Sequence, residues 1–184
     1  MLPKVVGFDF DGVVIYNPWH VARAPIAAFK RLFLGLNKTS FYRPKNKWQY
    51  LVWRVLFSFS LPAKSGLREI ERLKNEGKIN PILLTGRFDL SRQKVQEILT
   101  RAGFPNLFTE IITNENNGQP HLFKERVIVE KKMEVYVEDN IDIVLYLRKK
   151  LPSIRFFWIY NVIDRRFDYP LKYPSLSEAV KAIV

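Results

Sequence analysis

Asp9 and Asp11 stand one residue apart at the end of an apolar run, within the stretch VVGFDFDGVVIYNP. Side chains alternate faces along an extended strand, so the two acids share a direction and flank one small volume if the strand geometry continues through them. Carboxylates held that close repel unless one takes a proton or a cation sits between them. A hard divalent ion with oxygen ligands meets that need, and Mg²⁺ also recruits phosphate. Two other polar groups fall at the ends of apolar runs: Thr85 and Gly86 after ILL, and Glu138 with Asp139 after VYV. In an open parallel sheet, ligands bind outside the carboxyl ends of the strands, where the chain order reverses. The elements behind these residues decide whether the ends meet.

Short apolar runs alternate with amphipathic segments along the chain. Strands are expected over 5–10, 82–85, 110–113, 135–138 and 154–160, each too short and too β-branched or aromatic to be a good helix. Ser65 opens SGLREIERLKNEG as a helix, with Leu67, Ile70 and Leu73 at helical spacing and Gly77 as its stop. SRQKVQEILTRAG repeats the design, with Ser91 opening, Val95, Ile98 and Leu99 facing inward, and Gly103 closing. Further helices are expected over 122–132 and 141–150, and Ser175 with Glu178 gives the last segment a capping-box pattern. Strands alternating with helices argue for βαβ units, hence a mainly parallel sheet with right-handed crossovers.

The interval 15–64 breaks this rhythm, being far longer than a strand-to-helix connection needs. Helix-like stretches over 19–36 and 45–59 flank a GLNKTSFYRPKN loop. Arg43, Lys45, Lys47 and Arg54 make it basic, and Trp48, Tyr50 and Trp53 make it aromatic. It reads as a helical insertion directly after the Asp pair.

With 184 residues the chain fits one domain, and 47% hydrophobic and 14% aromatic content argues against disorder. The absence of cysteine excludes disulfides and thiolate metal sites. The longest apolar stretch, 51–63, is interrupted by Arg54 and is too short to span a bilayer. A strand-like pattern beginning within the first four residues leaves no room for a secretion signal, so a cytoplasmic protein is expected. The net charge of +12 raises the local concentration of anionic ligands, nucleic acid or an anionic membrane surface without choosing among them. Because the basic residues are spread along the chain, that charge is equally read as a solubilising surface.

DFDGVV, LLTGR, the lysine of LFKERV and VYVEDNID occur in the order and approximate positions of the four motifs of the haloacid dehalogenase-like (HAD) superfamily, mostly phosphatases and phosphotransferases. The chain resembles that superfamily over essentially its whole length. The resemblance implies an α/β fold, a Rossmann-like parallel sheet of strand order 5-4-1-2-3 with helices on both faces. It divides the chain into a core of residues 1–14 and 65–184 and a small helical cap of residues 15–64. Strands one and four are neighbours in that order, so Asp9, Asp11 and Asp139 would meet.

The resemblance also implies roles. Asp9 is similar to the nucleophile that becomes an aspartyl phosphate, and Asp11 to the general acid and base. Thr85, with Gly86 and backbone N–H groups of the turn, resembles the phosphate-binding second motif. Arg87 reads either as adding charge-assisted bonds to phosphate or, equally, as a solvated loop residue. Lys124 takes the place of the lysine that stabilises nucleophile and phosphate, with Lys131 and Lys132 as competitors by composition. Asp9, Asp11, Glu138 and Asp139 are the implied Mg²⁺ ligands, Glu138 standing where relatives often carry a first aspartate. Asp142 is read either as an outer ligand or as a helix N-terminal charge. His20 and His121, lacking partner spacing for a metal site, read as surface or cap residues. Asp11 argues against a dehalogenase, since that branch lacks the second acid and needs no metal.

The expected activity is a Mg²⁺-dependent phosphatase acting on a small phosphorylated substrate. The short first motif, small cap and VEDNID ending look most like the 5′(3′)-deoxyribonucleotidases, which makes a nucleotide the first candidate. Cap aromatics would then stack on a base, although such residues also serve to pack a cap on its core. The alternative is a HAD-fold protein of little activity that binds nucleic acid or an anionic membrane surface through its basic cap.

Overall fold

Apolar runs buried on both faces have to be central strands, and they pair as such. The computed structural model describes residues 2–16, 61–87, 90–115, 118–161 and 164–184. In chain order the elements are β1 (Lys4–Asp9), β2 (Ile15–Tyr16), β3 (Leu61–Pro62), α1 (Lys64–Asn75), β4 (Ile79–Thr85), α2 (Arg92–Arg101) and β5 (Glu110–Thr113). They continue as α3 (Pro120–Glu130), β6 (Val135–Glu138), α4 (Ile141–Lys150), β7 (Arg155–Ile159), β8 (Lys172–Tyr173) and α5 (Leu176–Lys181). The main sheet runs β5-β4-β1-β6-β7-β8, with every adjacent pair parallel. The five expected strands thus take the order 5-4-1-2-3, and the short β8 adds an edge beyond the fifth.

Alternation along the strands builds two cores. Val6 and Phe8 of β1, Leu83, Val135, Val137 and Phe157 face one way, against Leu67, Ile70 and Leu73 of α1, Val95 and Leu99 of α2 and Val180 of α5. Ile82, Leu84, Tyr136, Phe156 and Trp158 face the other way, against Phe123, Val127 and Ile128 of α3 and Ile143, Val144 and Leu147 of α4. Each fully buried leucine or isoleucine contributes roughly 1.5–3 kcal/mol before ordering costs. Gly7 is what lets Tyr136 lie across β1. A Cβ there would fall 2.6 Å from the Tyr136 ring and collide with the Met133 sulfur.

Several expected boundaries move: the first expected strand is Lys4–Asp9 rather than 5–10, the fifth is Arg155–Ile159 rather than 154–160, and three other shifts have a visible cause. β4 begins at Ile79 rather than residue 82, so Pro81 sits inside a strand flanked on both sides. Its carbonyl accepts from Thr109 N–H at 2.9 Å, so its nitrogen faces the same edge, just before β5 begins, and the missing N–H leaves no gap in the ladder. Helix α1 begins at Lys64 behind an Ala63 N-cap, leaving Ser65 in the first turn. Ala63 N–H is already anchored on the Val14 carbonyl at 3.0 Å, and the helix starts from that anchor. Helix α3 runs two residues earlier than expected, because Pro120 suits the first helical turn. Ser91 and Ser175 cap as expected, accepting from Lys94 N–H and Glu178 N–H.

β2 and β3 pair antiparallel, Ile15 with Pro62 and Tyr16 with Leu61. They form a stem from which residues 17–60 depart and to which they return. The helices expected over 19–36 and 45–59, with Arg43, Lys45, Lys47, Arg54 and His20, lie outside the described residues. Among the described residues, no helix is long and apolar enough to cross a membrane.

Candidate functional site

β1 ends at Asp9, which is buried, and a tight turn follows. Gly12 N–H donates to Ile15 O at 2.8 Å, and the N–H groups of Val14 and Ile15 both reach Phe10 O. Gly12 adopts φ +83°, and a Cβ there would collide with the Asp139 carboxylate. Its glycine is therefore required twice, by the local turn and by the close approach to Asp139. Strand geometry does not carry through Asp11. Its carboxylate meets Arg87 Nη1 at 3.4 Å, while that of Asp9 faces Lys124.

Helix α3 delivers Lys124 into the core beside Phe123 and Val127. Its Nζ lies 2.9 Å from Asp9 Oδ1 and 2.6 Å from Glu138 Oε2, and all three side chains are at most 7% exposed. Of the three lysines weighed from the sequence, Lys124 is the one that meets the strand-end carboxylates. Lys131 caps the far end of α3 and pairs with Glu110 at 2.8 Å, and Lys132 takes the left-handed turn after it at φ 51°. His121 is in the first turn of α3, its ring against Tyr146 at 4.8 Å.

Asp9, Glu138 and Asp139 each bring one oxygen within 4.8 Å of the others. Among the described residues, the Lys124 ammonium stands among three acids, an excess of negative charge. Burial, then the neighbouring Glu138 charge, push the Asp9 carboxyl well above the usual range, with Lys124 opposing. Burial also raises Glu138, again opposed by Lys124. Burial alone would lower Lys124, yet Asp9 and Glu138 outweigh it and hold its ammonium above the ordinary lysine range. A hard divalent cation fits such an all-oxygen, charge-excess group.

Glu138, expected as a metal ligand, belongs to the three acids that could hold an ion. Its Oε2 also meets Lys124 and its Oε1 accepts from Asn140 N–H at 3.1 Å. Asp11, expected among the ligands, stands outside this group with its carboxylate on Arg87. Trp158, fully buried on β7, donates its indole N–H to the Asp139 carbonyl at 3.0 Å. Asp142 lies in the first turn of α4, where its charge complements the helix dipole.

Thr85, fully buried, closes β4 beside these strand ends. Its Oγ1 accepts from Arg87 N–H at 3.2 Å. Gly86 packs tightly on Pro120 at the start of α3, a Cβ falling 2.9 Å from the proline Cβ. The site thus has a carboxylate side on β1 and β6 and a hydroxyl–guanidinium side on β4, joined through Arg87 and Asp11. Trp158 and Asn114, both buried and both bonded to site backbone, carry no sequence signal for this role. One is an ordinary aromatic in an apolar strand, the other one of several asparagines in a loop.

No protein-family model matches the sequence, and no curated protein does. Solved structures match it over nearly its whole length. A protein assigned as a β-phosphoglucomutase from Thermotoga maritima aligns with TM-score 0.61 at 16% identity, covering 98% of each chain. A protein assigned as a phosphoglycolate phosphatase from Haemophilus somnus aligns with TM-score 0.59 at 14% identity, covering 99% of this chain and 98% of that one. A 2-haloacid dehalogenase from Pseudomonas syringae aligns with TM-score 0.52 at 16% identity, covering 98% and 99%. At these identities the likeness is one of fold: the chain has the Rossmann-like fold of the haloacid dehalogenase-like hydrolases.

Proposed function

We propose that the chain is a HAD-superfamily phosphatase that hydrolyses a phosphate monoester through an aspartyl phosphate on Asp9, with Mg²⁺ as its metal. The observation that carries this reading is the buried Lys124 bridge between Asp9 and Glu138, with the Asp139 carboxylate beside it. Such an ammonium steadies a carboxylate nucleophile and the phosphoryl group that comes to it.

Asp9 attacks phosphorus, forming the Asp9–phosphorus bond as the bond to the ester oxygen breaks. The leaving oxygen takes a proton from Asp11, which is partly exposed at the mouth of the site. Asp11, now ionised, then takes a proton from a water whose oxygen attacks phosphorus, releasing inorganic phosphate and restoring both acids. Thr85, the turn N–H groups and Arg87 hold phosphoryl oxygens throughout. Asp9 and Asp139 would hold Mg²⁺, which supplies neutralisation of phosphoryl charge.

A second acid beside the nucleophile favours ester hydrolysis over dehalogenation. Nucleoside monophosphates are the first substrates to test, on the motif resemblance alone. The experiment compares p-nitrophenyl phosphate, a panel of phosphorylated metabolites and a 2-haloacid, each with Mg²⁺ and then with chelator. Phosphate release that needs the metal is expected. Full activity after exhaustive chelation, or halide release without phosphate release, rejects the reading.

A further inference from the structure

We propose that Asn114 is a positioning residue that sets the Thr85 hydroxyl as a donor and fixes its loop against the helix carrying Lys124; this rests on the phosphate-ester reading above. Asn114 directly follows β5 and is 3% exposed. Its Nδ2 donates to Gly86 O at 3.3 Å and to Gly118 O at 2.8 Å, while its Oδ1 accepts from Gly118 N–H at 3.2 Å. Two carbonyls demand the NH₂ group and one N–H demands the oxygen, so only one orientation of the amide satisfies all three.

The bond to Gly86 O acts one peptide unit further along. In a planar trans peptide the carbonyl and the following N–H point in opposite directions. By drawing Gly86 O toward itself, Asn114 turns Arg87 N–H the other way, where it donates to Thr85 Oγ1 at 3.2 Å. A hydroxyl that accepts there keeps its own proton for another partner. Thr85 is thereby presented as a donor, the character that a phosphoryl oxygen requires. Without Asn114 the peptide after Gly86 has wide rotational freedom, since glycine restricts it little.

The same amide reaches the other side of the site. Gly118 precedes Pro120 by two residues, and Pro120 begins the helix that carries Lys124. Gly86 packs directly on that proline. One buried side chain therefore clamps the Thr85 loop and the Lys124 helix in a fixed relation.

The test compares wild type with Asn114→Ala and Asn114→Asp, alone and with Thr85→Val. Inorganic phosphate binding in the presence of metal, Mn²⁺ binding without phosphate, and melting temperature are measured separately. Asn114→Ala is expected to weaken phosphate binding about tenfold to a hundredfold while Mn²⁺ affinity stays unchanged, because the carboxylates lie on other strands. Asn114→Asp should do worse, since a carboxylate cannot donate to two carbonyls. In the Thr85→Val background, Asn114→Ala should cost little more. Unchanged phosphate affinity, parallel loss of phosphate and Mn²⁺, additive effects with Thr85→Val, or failure of both variants to fold each overturns the proposal. Wild-type protein that neither binds phosphate nor turns over any phosphate ester would overturn the phosphatase reading and this proposal together, before any substitution is made.

Discussion

Lys124→Met deletes the ammonium while keeping an unbranched apolar stem of similar length. In the wild-type protein that ammonium lies 2.9 Å from Asp9 and 2.6 Å from Glu138, where water scarcely reaches. Removing one partner of a buried ion pair costs about 3–5 kcal/mol, because the remaining charges lose their compensation. For a chain of this size each kcal/mol lowers the melting temperature by about 2–4 °C, so the variant should melt roughly 6–20 °C lower in chelator near neutral pH. Burial already raises both Asp9 and Glu138, and Lys124 is what works against it. Without the lysine their folded-state values rise further. The folded protein then binds more protons than the unfolded chain above the ordinary carboxylate range, so stability falls as pH rises through that interval. The loss should therefore be larger at about pH 7.5 than at about pH 5. Thermal unfolding of wild type, Lys124→Met, Glu138→Gln and the double variant at both pH values measures the coupling directly. Equal melting temperatures at the higher pH, or the same deficit at both, would show that no compensated buried charge resides at Lys124.

Asp9→Asn should abolish turnover, since an amide is not a nucleophile here, while circular dichroism shows an intact fold. In chelator at neutral pH the same variant should melt higher than wild type, because burial and the Glu138 charge disfavour ionised Asp9. Adding Mg²⁺ should raise the melting temperature by more at about pH 7.5 than at about pH 5.5, because raised carboxyls must lose protons before they bind metal. An equal gain at the two pH values would count against Asp9 as a ligand. Gly12→Ala places a methyl group on the Asp139 carboxylate at a positive φ, and should weaken Mn²⁺ binding at least about tenfold in a titration of folded protein.

The sheet was legible because burial on both faces forces near-continuous apolar runs, as in 135–138, which appears with the expected bounds; the edge strand 110–113 also keeps its expected bounds. Lys124 was preferred to Lys131 and Lys132 because it lies about a helix-length before the strand of Glu138, where the resemblance places its lysine, and because a lysine at a helix C-terminus has carbonyls to serve; Lys124 is the one that meets Asp9 and Glu138. Less could be read where a residue's role depends on chain far away. Pro81 argues against a central strand until the position of Thr109 is known. Ser65 is a sound cap by type, but the contact of Ala63 with Val14 set the start of α1. Glu138 and Asp139 are alike by composition, and only the approach of α3 separates the one that holds a lysine from the one that faces Gly12. Asn114 and Trp158 reach the site by bonds to backbone, which leave no pattern in residue type.

The stem of β2 and β3 brings the two ends of residues 17–60 side by side. Tyr16 and Leu61 are direct partners across an antiparallel ladder, so the two ends of the segment stand about 5 Å apart. A loop whose ends are already adjacent can change length at small entropic cost, each doubling adding about 0.6 kcal/mol. A two-residue Asn-Gly turn could therefore close the same ladder as a hairpin. The core would keep Asp9, Asp11 and Gly12, all of which lie before the stem.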